Sequence, residues 1–522
     1  MKVELFDTTL RDGAQAPGLS YSVADRLRIL HKLDGLGLPY IEGGWPGANP
    51  RDTEFFRRAA KEQLQHAQLV AFGMTRRAGE PAETSAVLHD LLDAGTEVVC
   101  FVGKSWDLHV TQALRTDLDE GVAMVGDTVW FLVAQGRRVF FDAEHFFDGY
   151  RANPGFALRV LEAAEEAGAE RLVLCDTNGG TLPGQVASIV AEVRDRTSAP
   201  IGIHAHNDAG CAVASSLAAV EAGALQVQGV VNGYGERTGN ADLIPIMADL
   251  TLKLGAECLP DGAVERLTEV AHFVAEVANV APDPRQPYAG RYAFTHKAGL
   301  HTSGVSRLSE AYEHVAPESV GNHRGVVASD LGGAATLRMK AAEFGLELHD
   351  EAVPALLGEL KEREARGYTF EVADASLELL MRRHDGWRQP FFEVESFRVH
   401  VEQRAHEEAL AEATVKVVAQ GRRHIESAEG HGPVGALDNA LRKALGNEYP
   451  ELGHMALEDY RVRVLDENIG TGATVRVLID TSNGELEWTT VGVSDNIIEA
   501  SWEALTDAYL FGLLHPREDR QA

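Results

Sequence analysis

The first 255 residues alternate short apolar runs with amphipathic stretches, and this alternation constrains the fold more than any other feature. Eight runs read as strands: Val3–Thr8, Tyr40–Trp45, Leu69–Gly73, Val98–Gly103, Val139–His145, Leu172–Thr177, Ile201–His206 and Gln226–Val231. Between them the spacing predicts helices such as Ala24–Gly35, Pro154–Gly168 and Leu182–Arg196. Gly37, Gly95, Gly168 and Gly223 each fall where a helix should stop, since glycine enters the left-handed C-cap conformation without a Cβ penalty. Eight β/α units in this length match a TIM (β/α)8 barrel, an α/β fold. A doubly wound open sheet is the alternative. It more often carries a glycine-rich phosphate loop after its first strand, and Thr8-Thr9-Leu10-Arg11-Asp12 is not one.

Polar groups gather at the carboxyl ends of these strands, where active sites of such barrels lie. Arg11 and Asp12 follow strand one, and Glu42 and Trp45 lie at strand two. Lys104 follows strand four, Glu144 and His145 close strand five, and Asp176 and Thr177 close strand six. His204 and His206 end strand seven, and Asn232, Glu236, Arg237 and Asn240 follow strand eight. Side chains two apart on a strand share a face, so the two imidazoles can converge with Asp12 on one ion. Taken singly, each is more simply a capping aspartate or a satisfied core histidine. Together they form a candidate metal site, with Asn240 as a fourth ligand. The nitrogen and oxygen set excludes a structural thiolate zinc site. It does not choose among Mg²⁺, Mn²⁺, Co²⁺ and Zn²⁺; a divalent cation is expected, Mg²⁺ or Mn²⁺ first, with Zn²⁺ and Co²⁺ open. Arg11 beside such a site would stabilise a developing oxyanion, and Glu144 and Thr177 would orient substrate or move a proton.

Residues 256–285 read as one more helix, which closes a catalytic domain over residues 1–285. Residues 286–388, with His296, His301 and Tyr312, read as a linker of small helical subdomains. Beyond them Phe391–Val401, Ala413–Ala419 and Arg461–Leu465 alternate as strands. Ala413-Thr414-Val415-Lys416-Val417 returns as Ala473-Thr474-Val475-Arg476-Val477, each followed by a strand and then a helix, Gly435–Leu445 and Asp495–Tyr509. That echo predicts a pseudo-twofold α+β domain over 389–515, suited to regulation rather than catalysis. His515 to Ala522 read as a frayed tail.

A formal net charge of −31 repels nucleic-acid phosphates and anionic lipid, so neither is an expected partner. The four cysteines are scattered without a CxxC pair, and no apolar run is long enough to span a bilayer, which together place the chain in a reducing cytoplasm.

Three segments carry a family resemblance: Asp7-Thr8-Thr9-Leu10-Arg11-Asp12-Gly13, His204-Ala205-His206-Asn207-Asp208 and Gly235-Glu236-Arg237-Thr238-Gly239-Asn240-Ala241. Together they resemble the DRE-TIM metallolyase superfamily, and within it the isopropylmalate, homocitrate and citramalate synthases. Ile41-Glu42-Gly43-Gly44-Trp45-Pro46-Gly47 is similar to the citramalate-synthase branch, because isopropylmalate synthases usually carry alanine and phenylalanine where Gly44-Trp45 stand. The resemblance implies Asp12, His204, His206 and Asn240 as ligands of a divalent metal. It implies Arg11 for the enolate or alkoxide charge, Glu144 and Thr177 for the keto acid, and His301 and Tyr312 as helpers from the linker. It further implies condensation of acetyl-CoA with pyruvate, a homodimer, and isoleucine or leucine as effector. 2-Isopropylmalate synthesis and an inactive amino-acid sensor are the alternatives. The lyase branch uses a cysteine in the loop after strand eight, and Tyr234-Gly235-Glu236-Arg237 has none.

Overall fold

The computed structural model describes residues 1–296, 304–305, 307–326, 334–403, 409–465 and 473–517. The chain forms two compact units: Met1–Phe294 with Val315–Arg324, and Thr295–His314 with Gly325–Ala522.

In the first unit eight parallel strands close into a barrel in sequence order. They are β1 Glu4–Asp7, β2 Tyr40–Gly44, β3 Gln68–Met74, β4 Val98–Lys104, β5 Arg138–Glu144, β6 Arg171–Asp176, β7 Ile201–Ala205 and β8 Gln226–Gly229. Each falls where the apolar runs place it, to within two residues at either end. Eight outer helices follow them in turn: α1 Val23–Leu36, α2 Pro50–Ala59, α3 Ala86–Asp93, α4 Leu118–Ala134, α5 Pro154–Glu166, α6 Pro183–Arg194, α7 Ala212–Glu221 and α8 Leu243–Leu252. Gly37 stops α1 at φ 98°, and Gly95, Gly168 and Gly223 are likewise left-handed.

Period-two alternation sorts each strand. Odd-even partners such as Leu5, Ile41 and Val99 face the helices, while Phe6, Tyr40, Val70, Val98, Cys100 and Phe140 fill the barrel interior. At the amino ends of the strands Arg171 pairs with Glu4 at 3.0 Å, and Arg138 pairs with Glu170 at 2.6 Å and the Tyr40 hydroxyl at 3.0 Å. These side chains plug the barrel floor. At the carboxyl ends the inward positions turn polar, which is where the site lies.

One expectation fails here. Residues 256–285 are not one helix: Pro260, Asp261 and Gly262 (φ 78°) break the pattern before a short 3₁₀ turn, Ala263–Arg266, and α9, Leu267–Val277. Proline removes a backbone donor and glycine takes the left-handed turn, and together they outweigh the apolar spacing.

The second unit opens with a two-stranded parallel pair, β9 Thr295–His296 and β10 Gly325–Val326. Helices α10 Ala334–Glu343, α11 Ala352–Ala365 and α12 Asp374–His384 follow, around a core that includes Leu356, Leu360 and Leu377. Then come two three-stranded antiparallel sheets. The first holds β11 Phe392–Glu402, β12 Leu410–Ala419 and β13 Arg422–Gly430, with α13 Gly432–Leu445; the second holds β14 Ala456–Val464, β15 Val475–Ser482 and β16 Glu487–Ser494, with α14 Ile497–Leu514. The repeated segments lie at corresponding central strands, β12 and β15. Ala411, Ala413, Val415 and Val417 are buried on one face of β12, against Leu437, Ala440, Leu441 and Ala444 of α13 at helical spacing. Each buried leucine contributes about 1.5–3 kcal/mol. His515 is not frayed: its Nε2 lies 2.9 Å from Glu378 Oε1 and its ring lies 4.5 Å from Phe511. Among the described residues no helix is long and apolar enough to cross a membrane.

Candidate metal centre

Gly202, His204 and His206 are successive inward positions at the end of β7. His206 sits one residue past the strand, bridged to Asn240. Asp12 enters from β1 through a tight turn in which the N–H groups of Arg11 and Gly13 both donate to the Thr8 carbonyl, at 3.1 and 3.0 Å. One potential ligand atom from each of Asp12, His204 and His206 lies within 4.8 Å of the others, and all three residues are buried. His204 Nε2 is 3.4 Å from Asp12 Oδ2.

The residues fit a divalent cation. Among the described residues, His206 Nδ1 and Asn240 Oδ1 are buried and have no hydrogen-bond partner. Such a group costs about 1–3 kcal/mol unless something else satisfies it. Burial lowers His204, and burial with the neighbouring His204 lowers His206 to about 4, so both imidazoles are neutral near pH 7. Burial pushes Asp12 up, but Arg11, His204 and His206 outweigh it and hold the carboxyl at about 2. An anionic carboxylate with two neutral imidazoles is a ready donor set.

The loop after β8 delivers Asn240. Its N–H donates to Gly233 O at 3.0 Å, and its flanks dock on β7: Asn207 N–H donates to Gly239 O and Ala241 N–H to Ala205 O, both at 2.9 Å. Asn240 Nδ2 donates to Tyr234 O at 3.0 Å and lies 3.3 Å from Asp12 Oδ1, which leaves Oδ1 of Asn240 as the free end. Gly239 must be glycine: at φ 90°, an added Cβ would come within 1.9 Å of Gly233 O.

Arg11 is held on three sides. Its Nε donates to Glu42 Oε2 at 2.5 Å, its Nη1 donates to Asp12 Oδ2 at 2.9 Å, and its guanidinium carbon lies 3.8 Å from the Phe72 ring centroid. Burial works against the charge, but Glu42 and Asp12 outweigh it and the guanidinium stays protonated. Trp45 packs edge-on to Phe72 at 5.7 Å.

Glu144 ends β5 opposite Lys104 at the end of β4, and the two form an ion pair. Thr177 follows β6, with its Oγ1 accepting from His145 N–H at 2.9 Å and its carbonyl accepting from Arg237 Nη2 at 2.7 Å. Glu144 and Thr177 are thus neighbours across adjacent strand ends. Asp176 instead caps its own loop by accepting from Thr181 N–H and Oγ1–H, the bland alternative for a strand-end carboxylate. Tyr312 belongs to the second unit, and His301 lies outside the described residues.

Sequence reasoning missed two residues behind the cluster, Asp142 and Gln228. Both are buried inside the barrel, and Gln228 bridges His204 Nδ1 and Asp142 Oδ1 at 2.9 Å each. The available signal was their inward register: 142 lies two before Glu144, and 228 two after Gln226, on strands already assigned.

Comparison with known proteins agrees with the barrel and with the second unit. The HMGL-like family model matches residues 2–274, the homocitrate synthase post-HMGL domain-like model residues 289–367, and the LeuA allosteric (dimerisation) domain model residues 371–511. The chain is 54% identical to an (R)-citramalate synthase of Streptomyces coelicolor, over 98% of this chain and 96% of that protein. It is 51% identical to one of Synechocystis, again over 98% and 96%. A probable 2-isopropylmalate synthase of Methanopyrus kandleri stands at 33% identity over 96% of this chain and 97% of that protein. With its barrel, its site motifs and its nearly full-length likeness in agreement, the chain belongs to the HMGL-like family of DRE-TIM metallolyases, in the citramalate synthase branch.

Proposed function

We propose that this chain condenses acetyl-CoA with pyruvate and hydrolyses the thioester, giving (R)-citramalate and CoA. The observation that carries the reading is the convergence of Asp12, His204 and His206 beside a buried, charged Arg11 at the barrel mouth. Asp12, His204, His206 and Asn240 would hold the cation, Mg²⁺ or Mn²⁺ in this reading; mixed oxygen and imidazole donors also suit Zn²⁺ and Co²⁺. When bound, such a cation supplies a Lewis acid for a 2-oxo carbonyl.

The chain's own groups do the rest. Arg11, fixed by Glu42 and Phe72, stabilises negative charge as it develops on oxygen without reorganising at that moment. Thr177 accepts from His145 and keeps its own O–H to donate to the keto acid, while Glu144 and Lys104 orient that substrate. The apolar interior beneath, with Phe6 and Phe140, keeps water from that side. A base removes a methyl proton of acetyl-CoA, and the carbon forms a bond to C2 of pyruvate. The former carbonyl oxygen takes the charge and then a proton. Water cleaves the thioester and CoA leaves. His301 and Tyr312 assist from the linker in this reading, which rests for them on the resemblance alone.

Identity of 44–54% to five (R)-citramalate synthases, against 33% to the isopropylmalate synthase, supports pyruvate as substrate. The match of residues 371–511 supports a homodimer with isoleucine or leucine as effector. Four free cysteines suit a cytoplasmic setting. The test is CoA release from acetyl-CoA with a panel of 2-oxo acids. Pyruvate should lead, and a strong preference for 2-oxoisovalerate would move the chain to isopropylmalate synthesis.

A further inference from the structure

We infer that Asp142 and Gln228 are positioning residues that select the tautomer of His204 and so present its Nε2 to the cation; this rests on the metal-site reading above. Neither residue belongs to the cluster of three ligands, and neither is explained as packing. Both side chains are buried in the barrel interior, where a carboxylate and an amide are costly without a purpose.

Their geometry is directional. His204 and Gln228 are register partners on the adjacent strands β7 and β8, and His204 Nδ1 lies 2.9 Å from Gln228 Oε1. The other end of that amide, Nε2, reaches Asp142 Oδ1 on β5 at 2.9 Å. An amide has an accepting end and a donating end, and on its own either could face the imidazole. A carboxylate oxygen accepts. Asp142 therefore takes the NH₂ end and turns the carbonyl end of Gln228 toward His204. A carbonyl in turn requires an N–H on Nδ1. The proton is thus committed to Nδ1, and the lone pair remains on Nε2, the nitrogen 3.4 Å from Asp12. With the amide reversed, the Nδ1 lone pair would accept from Gln228, the proton would sit on Nε2, and His204 would have nothing to offer an ion. Outer partners of this kind are worth about 10–100-fold in metal affinity.

The experiment uses the full chain, stripped of metal and titrated with Mn²⁺ by calorimetry. ¹⁵N-histidine spectra of the metal-free protein report the tautomer. Asp142→Asn replaces the obligate acceptor with an amide that can also donate. Gln228→Met keeps similar volume and removes both amide ends. In each variant that keeps the parent's circular dichroism and melting, Mn²⁺ affinity should fall about 10–100-fold. The His204 signal should move from the Nδ1–H form alone to a mixture. Affinity within twofold of the parent overturns the proposal. So does a loss of affinity with the tautomer unchanged, since the loss then comes through packing, and so does failure of both variants to fold. His204→Ala separates the two readings: if it keeps full Mn²⁺ affinity, the metal site itself is misassigned, whereas its loss beside unaffected Asp142 and Gln228 variants sinks only this proposal.

Discussion

The Arg11 guanidinium lies 3.8 Å from the centroid of the Phe72 ring while its Nε donates to Glu42, so the residue next to Asp12 cannot swing away from the barrel mouth. Stack and ion pair together need a planar, forked cation, which lysine does not supply. Arg11→Ala and Arg11→Lys should both lower kcat, on the order of a hundredfold or more for the alanine variant. Steady-state kinetics with saturating substrates will show this, and a rate within threefold of the parent would remove Arg11 from the reacting centre.

Asp12→Ala and His204→Ala should each abolish both turnover and tight Mn²⁺ binding while the far-ultraviolet circular dichroism of the barrel persists. Chelation of the parent protein should do the same, and Mn²⁺ or Mg²⁺ should restore its activity. Activity that survives exhaustive chelation would contradict the site.

Gly239→Ala tests how Asn240 is placed. The left-handed φ of 90° and the 1.9 Å approach of a Cβ to Gly233 O leave the loop no way to keep its present path. Because this loop lies at the rim, metal affinity should fall more than melting temperature does. An unchanged Mn²⁺ isotherm would mean that Asn240 is not a ligand.

Burial pushes Asp7 up to about 7, against hydrogen bonds from Thr9 Oγ1–H at 2.7 Å and Thr9 N–H at 3.0 Å. The unfolded carboxyl titrates near 3.8, so between about 4 and 7 the folded state binds the extra proton. Stability contributed by this group is therefore lost as pH rises through that window. At about 1.4 kcal/mol per unit, the swing is on the order of a few kcal/mol. Asp7→Asn should gain stability relative to the parent as pH rises from 4 to 7, read from urea midpoints at fixed pH. Parallel pH profiles for the two proteins would exclude Asp7 as the titrating group.

Much of this was legible from one-dimensional pattern. The strands could be read because each is a short apolar run whose alternate residues face the core and the helices. Gly37, Gly95, Gly168 and Gly223 could be read because a helix stop needs a left-handed residue. Asp12, His204 and His206 could be read because two of them share a strand face and the third follows the first strand. Other features were not legible. The helical spacing over 256–285 hid the break at Pro260-Asp261-Gly262, and nothing local marked His515 as a partner of Glu378, 137 residues away.

The order of residues thus determined the barrel, the twin sheets that follow it and the identity of the candidate ligands, because these depend on spacings of two to four residues along the chain. Only closure of the sheet decided the rest. It brought Asp142 and Gln228 together across the interior from positions 86 residues apart, and it left His206 Nδ1 and Asn240 Oδ1 buried without a hydrogen-bond partner among the described residues. The reason is physical: which polar atoms end up satisfied depends on distances across the barrel, and no local spacing sets those.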